Sequence, residues 1–435
     1  MTTDPAPAGP WRVEPSLVAG AGSALVLVAV GALLGRADVV LLGVPVLLGA
    51  AGALARRPRG EVHVDVRPRP GERLAAELVV TAPPSARALR LRVSRPGHRT
   101  AEALVAVEGT RRLDVRAASV RTGGQPLFLV EHQGVGTDAD VVGPPGRREP
   151  DDVLVLPTGR RLGELPLPGR LRGLSGQHES RRPGSGGGLR DIHPFEPGDT
   201  PRQVDWKVTA RRSPALEQLY VRRTTALGEA VVIVVVDSRD DVGPDPLTWS
   251  GTPAVRADDA TSLDLARQAA AALAEGYLGG GDRVGVEDLG VHRRAVRSGS
   301  GRRQLDRVLQ QLAWLRPEGD PQTRVRPPRI PAGALVQVLS TFLDPEAAAM
   351  AAAWHRAGHT VVAVDVLPRL RMRDLDTRRR LALRLVLAER DDRLADLAAS
   401  GVDVVRWVDA PAATTRLATL ARAGRRGHGR AGARG

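Results

Sequence analysis

The stretch AVVIVVVDS, residues Ala230–Ser238, is a continuous apolar run that ends on Asp237 and Ser238. A strand with one wet face alternates apolar and polar residues, so a run without a polar break is one buried on both faces, as in a parallel sheet. Further strands are predicted at Arg283–Val286, Ala334–Leu339, Val361–Val366 and Val402–Val408. Helix-like stretches lie between and beyond them, at Asp259–Leu278, Arg302–Leu315, Pro345–Ala357, Asp374–Ala399 and Ala412–Ala423. This alternation predicts a doubly wound α/β domain over residues 226–410, with helices on both faces of the sheet. Ligands of such sheets bind at the carboxyl ends of the strands, where Asp237 falls.

Working outward to the N-terminus, Leu17–Leu34 and Val39–Ala55 carry no charge. Each is close to the shortest helix able to cross a hydrocarbon core of roughly 30 Å. Gly35, Arg36, Ala37 and Asp38 alone separate them, so they read as a helical hairpin and residues 1–59 as a membrane anchor. A secretory signal peptide is the competing reading, but Thr2–Pro10 has no basic residue and a second apolar run follows at once. Arg56, Arg57 and Arg59 follow the second span, which by the positive-inside rule places that side in the cytoplasm. The expected protein is thus a two-pass protein of the cell membrane, with its N-terminus and its C-terminal body cytoplasmic.

Between anchor and α/β domain, residues 60–150 show short alternating segments: Val62–Val66, Leu78–Thr81, Leu89–Ser94, Ala103–Val107 and Leu113–Ala117. Turn residues such as Pro83-Pro84 and Pro96-Gly97 punctuate them. This spacing predicts an all-β, immunoglobulin-like sandwich. Residues 151–225 are richer in Gly, Pro and Arg. Gly184–Gly188 (GSGGG) reads as a flexible loop; a phosphate-binding P-loop would need a following Gly-Lys-Ser/Thr, which is absent. The tail Arg422–Gly435 has no apolar residue larger than alanine, so residues 411–435 are expected to be a C-terminal helix and a basic, disordered tail.

Composition limits what the chain can do. It has 435 residues, 63 Lys+Arg against 49 Asp+Glu, and no cysteine. The last excludes disulfides, thiolate zinc sites and cysteine nucleophiles. Aromatic residues are 3% of the chain, too few for the stacking platforms of nucleic-acid binding, and no specific nucleic acid is expected.

The densest stretch is DIHPFEPGDTPRQVDWKVTARR, Asp191–Arg212. Pro197-Gly198-Asp199 is a turn. Asp199 and Asp205 stand among Arg202, Arg211 and Arg212, so the pairs Asp199/Arg202 and Asp205/Arg211 are predicted, with Trp206 as an apolar anchor that braces neighbouring cores. His178, Asp191, His193, Glu196, Asp199 and Asp205 also permit a metal or hydrolytic site, although no HExxH spacing is present.

The run Pro197-Gly198-Asp199, Arg202, Asp205-Trp206, Ala210-Arg211 resembles the signature of domain-of-unknown-function family fifty-eight (DUF58). Phe195, His193 and Thr200 depart from that pattern, which usually has Tyr, Arg and a second Asp there. The resemblance implies a membrane-anchored protein with a von Willebrand factor A-like domain over residues 226–410. It also implies a MoxR-type AAA ATPase as partner, in a chaperone-like or envelope-linked assembly. Mg²⁺-binding domains of that type use Asp-x-Ser-x-Ser, with further oxygen ligands from later loops. Here Arg239 and Asp241 occupy the two serine positions of that pattern, and Asp344 follows the later strand. Asp237, Ser238, Asp241 and Asp344 are therefore expected to form a degenerate metal site, with Mg²⁺ possible and no cofactor required. The two functional expectations are a membrane-anchored cytoplasmic adaptor and, as alternative, a hydrolase or metal-dependent enzyme built on the acidic and histidine residues of 178–205.

Overall fold

The computed structural model describes residues 11–69, 73–137, 140–173, 176–251, 254–290, 295–318 and 327–430. The part of the basic tail beyond 430 lies outside them. The chain divides into two compact units. The first comprises residues 1–119, 124–155 and 256–258, and the second 120–123, 156–255 and 259–435.

The first unit opens with strand β1 (Arg12–Val13) and helices α1 (Pro15–Leu33) and α2 (Ala37–Ala55). Both helices are long and apolar enough to cross a membrane. A Cβ on Gly31 would fall 2.8 Å from the backbone nitrogen of Val40, and one on Gly43 would fall 2.6 Å from the carbonyl of Ala24. These glycines let the two helix backbones approach closely.

Strands β2 (His63–Pro68), β3 (Ala75–Thr81), β4 (Ala86–Ser94), β5 (Ala101–Ala106) and β6 (Thr110–Arg116) follow. After them come β7 (Gly123–Pro126), β8 (Leu129–Gly136), β9 (Val141–Arg148) and β10 (Asp152–Val155). They form a three-stranded sheet, β2-β3-β6, a five-stranded sheet, β1-β9-β8-β4-β5, and a β10-β7 pair. Val64, Val66, Leu78 and Val80 from one sheet share a core with Leu89, Leu91, Val93 and Val130 from the other. The alternation of Val64 and Val66 around Asp65 is what turns one face of β2 inward.

The second unit is centred on a six-stranded sheet. Its strands are β13 (Val231–Val236), β14 (Arg283–Asp288), β15 (Val296–Gly299), β16 (Leu335–Ser340), β17 (Thr360–Asp365) and β18 (Asp403–Arg406). Their order is β15-β14-β13-β16-β17-β18, parallel except for β15. The helices are α4 (Ser262–Gly279), α5 (Arg302–Trp314), α6 (Pro345–Arg356), α7 (Thr377–Ala399) and α8 (Ala410–Arg430). Val232, Val234 and Val236 pack with α4, α5 and α8, whereas Val231, Ile233 and Val235 pack with α6 and α7. Period-two alternation thus gives one strand to two helical layers, which is why its sequence has no polar break.

Three expectations are corrected here. The basic stretch after Ala421 is not a disordered tail up to Arg430 but the last turns of α8. Arginine and alanine are good helix formers, and packed Leu417 and Ala421 carry the register into it. Gly184–Gly188 is not a free loop; it lies within strand β11 (His178–Pro194), paired with β12 (Tyr220–Gly228). Gly184 and Leu189 both stand opposite Thr224, so the ladder absorbs the glycines as a bulge. Finally, residues from Leu156 onward belong to the second unit: Leu162, Leu165 and Leu167 pack on its core, and Tyr277 donates its hydroxyl proton to the carbonyl of Pro166 at 2.7 Å.

Candidate functional site

At the carboxyl edge of the sheet, β13 and β16 end side by side where the chain switches direction across the sheet. Asp237 follows β13 and accepts a hydrogen bond from the Ser340 hydroxyl at 2.7 Å. The Arg239 guanidinium lies against the same carboxylate, with Nε 2.7 Å from Oδ1 and Nη2 2.9 Å from Oδ2. Its Nη1 reaches Asp344 at 3.0 Å and Glu346 at 2.6 Å. The arginine side chain is 8% exposed and that of Asp237 4%. Burial works against the charged guanidinium, yet its bonds to Asp237 and the charges of Asp344 and Glu346 hold its proton more tightly than usual.

The sequence-predicted metal residues are therefore only partly brought together. Asp237 and Asp344 are joined through the Arg239 guanidinium, which bonds both carboxylates. Ser238 turns away and donates to Asp288 at 2.6 Å. Asp241 accepts the Leu263 backbone N–H at 3.2 Å, at the start of α4, and lies 3.5 Å from Arg121. Burial raises its pKa. Among the described residues no group of three or more His, Asp or Glu is placed to hold a metal ion. Asp240, beside the cluster, accepts from the Thr341 hydroxyl at 3.2 Å; burial and the Asp237 charge push its pKa up to about 6. Glu346 was not singled out by sequence, although Asp344-Pro345-Glu346 carries a helix-start pattern and Asp344 caps α6 through the Glu346 N–H at 2.7 Å.

The signature folds against β12. Gly198 has φ of +105°, a conformation that glycine alone adopts without strain, so the Pro-Gly turn needs it. The turn folds Asp199 back to accept the Glu196 backbone N–H at 2.9 Å, and that bond, with Arg223, draws its carboxyl below the usual carboxylate range. The partners of Asp199 are Arg223, at 3.2 Å, and His193, at 3.3 Å, not Arg202. Asp205 does not pair with Arg211 either. It is the N-cap of α3 (Trp206–Arg212), accepting the Val208 N–H at 3.0 Å. Thr209, fully buried, accepts the Tyr220 N–H at 3.0 Å and ties α3 to β12.

Trp206 is 62% exposed and does not serve as a buried anchor. It borders a groove of about 620 Å³ lined by Arg202, Gln203, Val204, Asp205, Arg222 and Thr224. Arg202 and Arg222 are exposed and carry no ion pair among the described residues. The histidines of 178–205 do not converge. His178 lies 3.0 Å from Asp282, whereas His193 belongs to the Asp199 cluster. Their partners on β12, Gly228 and Val221, are seven positions apart, about 23 Å along the ladder.

A family model described as "Protein of unknown function DUF58" matches residues 191–375. Similar proteins include the uncharacterized protein Rv1480 of Mycobacterium tuberculosis and the uncharacterized protein Mb1516 of Mycobacterium bovis. Each is 30% identical over 246 residues, covering 52% of this chain and 70% of the relative. No solved structure matches the chain significantly.

Proposed function

The chain belongs to the DUF58 family, and on that premise we propose that it is a membrane-anchored adaptor that docks a protein partner through the signature groove. The observation that carries this reading is the exposed Trp206 beside Arg202 and Arg222, which carry no ion pair among the described residues. Aromatic and arginine side chains are the residue types that dominate the energetics of protein interfaces. The carboxylates of the same stretch are already committed, Asp199 to Arg223 and Asp205 to a helix cap, so the groove presents positive charge and one large ring. An acidic partner segment is the complementary occupant.

In this reading the second unit is a von Willebrand factor A-like platform and the strands of the first an immunoglobulin-like spacer. The two apolar helices anchor the chain in the cell membrane, with the body on the cytoplasmic side by the positive charge of Arg56, Arg57 and Arg59. Family resemblance names a MoxR-type AAA ATPase as the partner, in a chaperone-like or envelope-linked assembly. The filled carboxylate cluster at Asp237 supports an adaptor that works without Mg²⁺, and the separation of His178 from His193 leaves the hydrolase alternative without a common site.

The test is a photo-crosslinking residue at Gln203 in the full-length protein in its native membrane. An ATPase of this type should be captured there, and capture should be lost on Arg202→Glu/Arg222→Glu. Equal capture with and without the charge reversals overturns the groove as the docking site.

A further inference from the structure

Helix α7 outruns the sheet it packs on. Arg390, near its middle, donates Nε–H to the Thr341 carbonyl at 2.6 Å and pairs with Asp365. Arg393 donates to the carbonyls of Phe342 at 2.6 Å and Leu343 at 3.1 Å. These partners mark the carboxyl edge, where β16 and β17 end. The helix from Thr377 to Glu389 therefore extends beyond that edge, roughly 20 Å of it at 1.5 Å per residue. Leu394 and Leu397, further on, belong to the core.

Among the described residues, this half of the helix leaves three large apolar side chains exposed. Leu381 is 59% exposed, Leu385 61% and Val386 40%. At about 100° per residue Leu381 and Leu385 fall within about 40° of each other, opposite Leu383, Arg390 and Leu394 on the side that packs inward, and Val386 lies at the border between the two. Arginines border the exposed stripe. Residues 377–388 (TRRRLALRLVLA) hold Arg378, Arg379, Arg380 and Arg384 and no carboxylate. Arg379 is shared with Asp376 at 3.5 Å and Arg380 donates to the Leu375 carbonyl, whereas Arg378 and Arg384 have no partner among the described residues.

We infer that this half of α7 is a membrane-surface element that seats on anionic lipid. An interfacial helix needs an apolar stripe to enter the acyl boundary and flanking cations to meet headgroup phosphates, and the stretch supplies both. The stripe is exposed on the outer side of a helix, which suits a lipid surface. The chain also carries two helices of membrane-spanning length, so a bilayer is the surface to which this helix is tethered. The inference goes beyond the adaptor reading and does not depend on it.

The absence of cysteine makes the test direct, because Leu385→Cys is a unique labelling site in the full chain. The protein, labelled there with an environment-sensitive dye, is reconstituted into discs of phosphatidylcholine, alone or with phosphatidylglycerol. A fraction of the lipid carries acyl-chain bromine as a quencher. Quenching should be at least about twofold stronger with phosphatidylglycerol, and should fall as salt rises. Arg378→Glu/Arg384→Glu, on exposed positions that leave folding untouched, should remove the excess. Equal quenching in both lipids overturns the inference. So does a dye response that instead follows protein concentration in detergent, which would mean a second copy covers the stripe.

Discussion

At the edge of the sheet, Arg239 is closed in by Asp237, Asp344 and Glu346; in the signature, Arg202 and Arg222 look into an open groove beside an exposed tryptophan. Both regions are made of Asp and Arg close together in sequence. What separates them is where the carboxylates find their donors. In the signature, backbone N–H groups of a turn and a helix start take up Asp199 and Asp205, which leaves nearby guanidinium groups over. At the sheet edge the strands end in a crowded, half-dry layer, and the arginine itself must satisfy the carboxylates. Charge spent internally holds a structure, and charge left over is available to a partner.

The largest expected effect tests the closed cluster. Arg239→Ala takes the guanidinium away from the buried carboxylate of Asp237, and should cost about 3–5 kcal/mol in denaturant unfolding. Arg239→Ser should behave differently in millimolar Mg²⁺: the melting temperature should rise for this variant and stay constant for the wild type, because only the variant vacates the position between Asp237 and Asp344. A variant that melts like wild type breaks the claim that the guanidinium holds this edge together.

Asp240 sharpens the same side of the comparison through pH. Its pKa of about 6 in the folded protein lies above the ordinary 3.8, so the folded state binds this proton more tightly than the unfolded one. Its contribution is therefore fully favourable below about pH 4 and is lost as pH rises through 6. Asp240→Asn, which keeps an acceptor for the Thr341 hydroxyl, should stabilise the protein at pH 7 by at most about 3 kcal/mol. The gain should vanish near pH 4. A constant offset across that range would assign the effect to something other than ionisation.

The α/β sheet was legible in the sequence because burial on both faces removes polar residues from β13, and each helix between strands keeps its own apolar pattern. The two apolar helices were legible from length and charge alone. The glycine stretch of β11 was not, because a bulged strand with glycines has the composition of a loop. The α8 extension was missed since arginine and alanine identify neither a core nor a boundary. At the sheet edge, Asp237 and Asp344 stood out by position, and Arg239 stood out as an intruder in the motif. That its fork would join them depends on the fold bringing residues 237 and 344 together. The pairs Asp199/Arg202 and Asp205/Arg211 were misread because sequence proximity counts charges but not the backbone donors that compete for them.

The signature side has its own, smaller marker. Asp205→Ala removes the cap of α3 and should cost about 1 kcal/mol, with Asp205→Asn retaining most of it. An effect much larger than that would mean Asp205 holds more than the start of one short helix.

The smallest expected change is the most decisive. Trp206 would lose a large ring on truncation to alanine, and in a core that would cost about 3–5 kcal/mol. At 62% exposure its surroundings have little to lose, so Trp206→Ala should move stability by no more than about 0.5 kcal/mol. Partner capture at the groove should nevertheless fall sharply, because the ring is the largest apolar side chain among the residues lining the groove with Arg202 and Arg222. Thermal melting of wild type and variant, run beside crosslinking in membranes, separates the two contributions. A melt lowered by many degrees would show that the tryptophan is structural and that the signature resembles the sheet edge after all. An unchanged melt with unchanged capture would leave the open arginines, not the ring, as the source of recognition.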